Sequence, residues 1–340
     1  MALSIKQNIS LKPYNTFGIE VLARLFTTIQ SIDDFKALVK ERAYLENEKL
    51  IIGGGSNILF TKNVDGLVIK NELKGINIVF EDGEWAHVKV AAGEVWHDFV
   101  MWSIEHGLAG LENLSLIPGC VGASPMQNIG AYGVEIKECF VELEACSLND
   151  ASLKTFSNAD CRFGYRESVF KHELKNKYLI TSVTYRLCKK PKLNTSYGAI
   201  SAELKAMNIS SPGIKDVSNA VINIRKSKLP DPEVTGNAGS FFKNPEVSAE
   251  KHGELVARFP NLVAYPLPDG RFKLAAGWLI EQCGLQGFEM NGAAVHDRQA
   301  LVLVNKGHCL GKDVYDLSSY VLQKVSEKFG VTLEREVNII

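Results

Sequence analysis

The sequence predicts an α+β protein of two or three domains, and three observations carry that reading. Its 340 residues exceed a single domain of roughly 150 residues. The N-terminal part reads as a compact β-α-β unit. From Lys74 onward short strand patterns become frequent, and one clear helical pattern interrupts them before Leu187.

The elements follow in order. Val21 to Ile29 is an apolar extended stretch, Ser31 opens a helix with Ile32, Phe35, Leu38 and Val39 on one face, and Leu50 to Ile52 is a strand. The turn Asn63-Val64-Asp65-Gly66 leads into a strand at Gly66 to Ile69, with a domain boundary near Lys74. Strands are expected at His87 to Ala91 and Phe140 to Ser147, and a helix at Val95 to Glu105 that stops at Gly107. After Pro191 come helices at Gly198 to Met207 and Lys215 to Arg225, then a Gly-, Asn- and Pro-rich crossing from Leu229 to Pro245. Helical patterning returns at Val247 to Phe259 and Leu274 to Cys283, and Ala300 to Val304 is a strand. A last helix carries Val314, Leu317, Val321, Val325 and Phe329 before Gly330, and the tail, Val331 to Ile340, is strand-like. The expected domains are 1–72, 73–212 and 213–330, with 331–340 a candidate to return to the first.

Composition excludes several classes. A 46% hydrophobic and 23% charged chain has enough apolar residues for more than one core. Thirty-eight Lys and Arg against 39 Asp and Glu leave a net charge of -1, so no global field holds nucleic acid or an anionic membrane. Apolar runs such as Leu274 to Ile280 fall short of the ~20 residues of a membrane helix. Met1 to Ser10 lacks a signal-peptide pattern, so the expectation is a cytoplasmic protein with no obligatory protein partner evident. The seven cysteines form no C-x-x-C pair and the seven histidines no H-E-x-x-H motif, so reduced thiols and no metal are expected.

Five segments carry chemistry. Ile51-Ile52-Gly53-Gly54-Gly55-Ser56-Asn57 runs a strand into three glycines, either a tight turn or a nest whose amides converge on a phosphate. Ile58 breaks a G-x-G-x-x-G fingerprint, and no Walker lysine follows. Ile117 to Gly133 is a long non-helical path of small residues with the amides Gln127 and Asn128, a surface loop or a backbone laid along a flat ligand. Phe163-Gly164-Tyr165-Arg166 offers an arginine able to grip a carboxylate, or one that is merely solvated. Arg225, Lys226 and Lys228 end a helix, favouring its dipole or holding a diphosphate, and Ser240 follows in Gly239-Ser240-Phe241-Phe242-Lys243-Asn244-Pro245. No G-x-S-x-G surrounds Ser240, so proton transfer or hydrogen bonding is as open to it as nucleophilic attack. In the tail, alternation puts Glu334 and Glu336 on one face, by default both solvated.

In this order, from Asn15-Thr16-Phe17-Gly18 to Glu336, the segments resemble the UDP-N-acetylenolpyruvoylglucosamine reductases, flavoenzymes of peptidoglycan synthesis, over essentially the whole chain. The resemblance implies an FAD-binding fold of the vanillyl-alcohol oxidase type, as in p-cresol methylhydroxylase, in two α+β domains, with a third covering the substrate. It implies that Gly53, Gly54, Gly55, Ser56 and Asn57 receive the FAD diphosphate. Pro118, Gly119, Gly122, Ala123, Gln127, Asn128, Gly130, Ala131, Tyr132 and Gly133 are implied to run along the rest of the cofactor. In such enzymes NADPH reduces the flavin, and the small-molecule substrate UDP-N-acetylglucosamine enolpyruvate then takes hydride from flavin N5 at C3. Ser240 would protonate C2, with Arg166 and Glu336 binding the carboxyl and stabilising the enolate. Tyr165, Tyr197, Lys228, Asn244 and Tyr265 match substrate contacts, and Tyr197 with the insert around Asn261 to Leu285 indicates the longer form of the family.

Departures are Gln286 where a relative has a phosphate-contacting lysine, Arg335 for a proline, and Ser124 for an alanine. Two other readings compete. One is a different FAD oxidase or dehydrogenase of the same fold. The other is a non-catalytic binder of flavin or nucleotide sugar, against which Arg166, Ser240 and Glu336 speak.

Overall fold

Apolar alternation and short crossovers build two sheets in the first part of the computed structural model, which describes residues 4–340. Strands Lys6–Ser10, Leu22–Ile29, Val64–Asn71 and Lys49–Ile52 lie in that order in one sheet. The last three are parallel, and a parallel pair needs a crossover. The helix Ile32–Leu38 supplies it, started by a reciprocal capping box between Ser31 and Asp34. Leu67, Val68 and Ile69 are all fully buried, the continuous apolar run typical of a parallel strand.

A five-stranded antiparallel sheet follows, in the order Leu153–Ser157, Phe140–Ser147, Tyr178–Cys188, Trp85–Ala91, Ile76–Glu81. The helix Trp96–Glu105 lays Trp96, Phe99, Val100 and Ile104 over its inner face, against Val88, Val90, Val183 and Tyr185. Each such aromatic, fully buried, contributes about 1.5–3 kcal/mol. Their polar atoms are satisfied: the Trp96 indole donates to the Leu114 carbonyl at 2.9 Å, and the Tyr185 hydroxyl meets Ser124 Oγ at 2.6 Å. Helices Gly198–Ala206 and Ile214–Lys228 close a smaller core around Ile200, Val217 and Val221.

Compactness divides the chain into two units, residues 1–9, 22–54 and 64–227 in the first, and 10–21, 55–63 and 228–340 in the second. This division is coarser than the three ranges expected from sequence. In the second unit, strands Gly236–Ser240, Val302–Asn305, Ala293–Val295 and Glu289–Met290 form an antiparallel sheet. A three-stranded sheet orders Glu246–Val247, Phe272–Leu274 and Ala264–Pro266. The helix Gly311–Phe329 ends at Gly330, which takes the left-handed φ of 62° that a helix stop favours. Among the described residues no helix is long and apolar enough to cross a membrane.

Three local expectations need correction. The crossing from Leu229 to Pro245 holds the strand Gly236–Ser240; its glycine-rich sequence has little strand propensity, and pairing with the buried Val302–Asn305 overrides it. The path from Pro118 to Gly133 is not wholly non-helical, since Val121–Met126 is a 3₁₀ turn and Gly130–Ala131 pairs with Val134–Glu135. The tail is strand only at Asn338–Ile339, parallel to Ile58–Leu59, with one isolated bridge between Phe242 and Arg335.

Candidate active site

In the first unit the chain leaves Ile52 and turns at Gly53 and Gly54. A Cβ on Gly54 would stand 2.8 Å from the Gly119 Cα, so the two glycine-rich segments touch backbone to backbone. The second segment is pinned in turn: Trp96 N donates to the Gly119 carbonyl, Val121 N to Glu94 O and Gly122 N to Ala92 O, each at 2.9 Å. Lys70 Nζ donates to the Gly53 carbonyl at 2.5 Å. Burial pushes the Cys120 thiol up, and the charges of Lys70 and Lys74 oppose that shift.

A cavity of about 170 Å³ opens beside these glycines, lined by Gly53, Cys120, Gly122, Ala123 and Met126 from the loops, with Lys49 and Asn71 from the parallel sheet and Tyr178 and Ile180 from the antiparallel one. It is smaller than the roughly 300–1,000 Å³ of a complete ligand pocket. Asn71 Nδ2 ties the two sheets at its edge by donating to the Ile180 carbonyl at 3.0 Å.

Further along, the loop is held by its own side chains. Asn128 is fully buried, donates to Glu135 Oε2 and to the Gly164 carbonyl at 3.0 Å each, and accepts from Lys137 N at 3.1 Å. Arg166 sits in the tight turn closed by Gly164 N to Glu167 O, at a left-handed φ of 56°. A non-glycine residue there costs about 1–2 kcal/mol. Its guanidinium donates to the Gly130 carbonyl and lies 5.3 Å from the Tyr165 ring centroid.

Tyr132 and Tyr197 meet edge to face at 5.4 Å, and Asn113 Nδ2 donates to the Tyr132 carbonyl at 3.1 Å and the Asn194 carbonyl at 2.9 Å. Burial raises the Tyr132 hydroxyl pKa, partly offset by the charge of Arg225 and by a hydrogen bond from it. The first unit thus brings together Gly130, Tyr132, Arg166 and Tyr197. Arg225 belongs with them and was legible only as one of three cations at a helix end. His97, half-buried and accepting from Leu116 N at 3.0 Å, had no sequence signal; burial lowers its pKa, the Asp98 charge opposes that shift, and the nearby Arg225 and Lys226 charges add to it.

The remaining glycine-turn residues lie in the second unit. A Cβ on Gly55 would fall 1.9 Å from the Tyr14 carbonyl oxygen, and its φ is 63°, so only glycine fits. Asn57 Nδ2 donates to the Glu336 carbonyl at 3.3 Å. Ser240 ends its strand opposite Val302 and is exposed, while Phe241 and Phe242 are buried behind it. Glu336 N donates to the Phe241 carbonyl at 2.8 Å and Lys243 N to the Glu334 carbonyl at 2.9 Å, so Ser240 and Glu336 are carried on adjacent antiparallel segments.

The default that Glu334 and Glu336 are both solvated holds for Glu334, whose exposed carboxylate also pairs with the buried Lys243 Nζ at 2.6 Å, and is corrected for Glu336, which is half-buried. A buried ammonium needs a counter-charge, and Glu334 is in register to provide it. Of the expected substrate contacts, Lys228 and Tyr265 are exposed and Asn244 Oδ1 accepts from Ala276 N at 2.9 Å; Gln286, the departure from a relative's lysine, donates to the Asp297 carbonyl at 2.6 Å.

The family model "FAD binding domain" matches residues 23–157, and "UDP-N-acetylenolpyruvoylglucosamine reductase, C-terminal domain" matches 231–340. A UDP-N-acetylenolpyruvoylglucosamine reductase from Flavobacterium johnsoniae is 51% identical, covering 99% of this chain and 100% of the relative. The one from Pseudomonas aeruginosa is 49% identical over the full length of both. Among solved structures, the Thermus caldophilus reductase superposes with a TM-score of 0.68 at 22% identity over 99% of each chain. p-Cresol methylhydroxylase gives 0.51 at 13% identity over 96% of this chain and 84% of its own. The fold is therefore the FAD-binding one of the vanillyl-alcohol oxidase type, and the chain belongs to the UDP-N-acetylenolpyruvoylglucosamine reductase family of FAD-dependent oxidoreductases.

Proposed function

We propose that this chain reduces the enolpyruvyl group of UDP-N-acetylglucosamine enolpyruvate to the lactyl ether of UDP-N-acetylmuramate, a step in peptidoglycan precursor synthesis, with NADPH as reductant. The residues present suit FAD. Gly53, Gly122 and Ala123 line the cavity with nothing larger than a methyl group, and the ammonium of Lys70 lies against the Gly53 carbonyl. In this reading Gly53 to Asn57 hold the diphosphate. Pro118, Gly119, Gly122, Ala123, Gln127, Asn128 and Gly130 to Gly133 line the remainder, several of them through backbone or packing, since the Asn128 side chain is engaged within the protein. FAD, when bound, supplies a two-electron store that links the nicotinamide donor to the vinyl ether carbon C3.

The protein's own groups manage the charge that follows. Addition at C3 places an electron pair at C2, conjugated with the carboxylate. Arg166, held in one rotamer by the Gly130 carbonyl and the Tyr165 ring, offsets that charge more as it grows than in the ground state. Ser240 gives its hydroxyl proton to C2 and is reprotonated from solvent, and the Glu336 carboxyl group, as the neutral acid donating a hydrogen bond, stabilises the enolate. A serine is a weak acid, so placement carries much of its effect. Tyr165, Tyr197, Lys228, Asn244 and Tyr265 are the proposed substrate contacts, with Lys228 bearing more of the diphosphate because Gln286 is uncharged.

The observation that carries this reading is the pairing of the Ser240 and Glu336 segments through Glu336 N to Phe241 O at 2.8 Å. The test is an anaerobic flavin spectrum: one equivalent of NADPH bleaches the flavin, and UDP-N-acetylglucosamine enolpyruvate then restores its colour. A flavin that is reduced and stays reduced assigns the protein to another oxidase or dehydrogenase of the same fold.

A further inference from the structure

We infer that Arg335 is a positioning residue for Glu336, acting through the long helix Gly311–Phe329. This rests on the reading of Glu336 just proposed and extends it to a residue that touches no reacting atom.

Around its antiparallel bridge to Phe242 the Arg335 segment is extended, so neighbouring side chains leave it on opposite faces. Leu333 and Val337 are buried, and Arg335, half-buried, shares their face. Glu334 and Glu336 take the other. The Arg335 guanidinium is gripped at three points of the helix: Nε donates to Ser318 Oγ at 2.8 Å, one terminal nitrogen donates to Ser319 Oγ at 2.7 Å, and the group lies 4.5 Å from the Tyr315 ring centroid. Both serines are oriented for this, each hydroxyl donating to the Tyr315 carbonyl, at 2.6 Å from Ser318 and 3.0 Å from Ser319. A planar fork over two hydroxyls and a ring fixes direction as well as distance, which a lysine does not.

The backbone on either side is fixed separately. Lys243 N donates to the Glu334 carbonyl at 2.9 Å, Glu336 N to the Phe241 carbonyl at 2.8 Å, and Asn57 Nδ2 to the Glu336 carbonyl at 3.3 Å. These bonds set the register of the segment, and the buried Leu333 and Val337 and the Glu334–Lys243 ion pair hold it on its two faces. Arg335 adds a directional tie to the long helix next to Glu336, and this tie limits the swing of the Glu336 carboxyl group relative to Ser240 on the adjacent segment.

The test uses the flavin-loaded enzyme and compares Glu336→Gln, Arg335→Met and the paired change Ser318→Ala with Ser319→Ala, which keeps the arginine but removes its grip. Stopped-flow separates reduction of the flavin by NADPH from its reoxidation by the enolpyruvyl substrate. We expect Arg335→Met and the serine pair to leave reduction unchanged and to slow reoxidation by roughly ten- to a hundredfold with little change in KM, as for a misplacement of about 1 Å. Arg335→Met combined with Glu336→Gln should be no slower than Glu336→Gln alone, because the arginine acts only through that carboxyl group. Additive losses, or slowing of both half-reactions alike, overturn the inference, as does normal reoxidation in the serine pair. If Glu336→Gln itself reoxidises normally, the role proposed for Glu336 falls first, and a slow Arg335→Met would then have to be explained without it.

Discussion

At the scale of single residues, the site is assembled from side chains whose partners lie far away in sequence. Ser240 is exposed at the end of a strand whose next two residues are fully buried, so its hydroxyl can be removed without disturbing the core. Ser240→Ala is expected to keep its flavin and its reduction by NADPH while turnover drops roughly 10²–10⁴-fold, the usual range for a lost proton donor; unchanged steady-state turnover would remove Ser240 from the mechanism. Tyr44 offers a test of stability. Burial pushes its hydroxyl up to about 12 from the usual 10.0, while it donates to the Leu148 carbonyl at 2.5 Å. The folded state therefore favours the neutral phenol: its contribution is whole below about pH 10 and fades as pH rises toward 12. Urea midpoints should fall over that interval, and should fall less in Tyr44→Phe.

At the scale of elements, the glycine turn and the second glycine loop work as a pair. Their shared requirement is close backbone approach at Gly54 and Gly119, where even a Cβ at 2.8 Å does not fit. Gly54→Ala is expected to separate them, costing about 1–3 kcal/mol and lowering flavin occupancy as read by the ratio of visible to ultraviolet absorbance. An alanine variant with full occupancy and unchanged midpoint would show that the loops tolerate separation. The sequence marked both segments as unusual through their glycines, and offered a tight turn or close approach of a ligand as the reason. At Gly54 and Gly55 other backbone stands where a Cβ would be, a demand for glycine that applies with or without a ligand, and Gly53 lines the cavity. The 3₁₀ turn Val121–Met126 leaves no mark in the sequence because small residues and Pro125 carry no helical periodicity.

At the scale of the whole molecule, the tail joins elements separated by most of the chain. Asn338–Ile339 pairs in parallel with Ile58–Leu59, and Thr61 N donates to the Ile340 carbonyl at 2.7 Å. Removing residues 338–340 is expected to lower the melting temperature by several degrees and cut turnover, since the Glu336 segment loses its C-terminal anchor; a truncated protein with wild-type melting and turnover would make the anchor dispensable. The sequence by itself determined the class of fold, the strong helices and buried strands, and the order of motifs that identifies the family, because periodicity, caps and glycine patterns are local. Helices such as Trp96–Glu105 and Gly311–Phe329 lie within one to a few residues of their expected bounds for that reason. The roles proposed for Arg166, Ser240 and Glu336 rest on family resemblance. Only the tertiary structure decided that Gly236–Ser240 is a strand, that Glu334 answers a buried lysine, that Arg225 meets Tyr132, and that Arg335 is held by the long helix. Each depends on a partner distant along the chain, and pairing energy between remote segments leaves no periodicity in either of them.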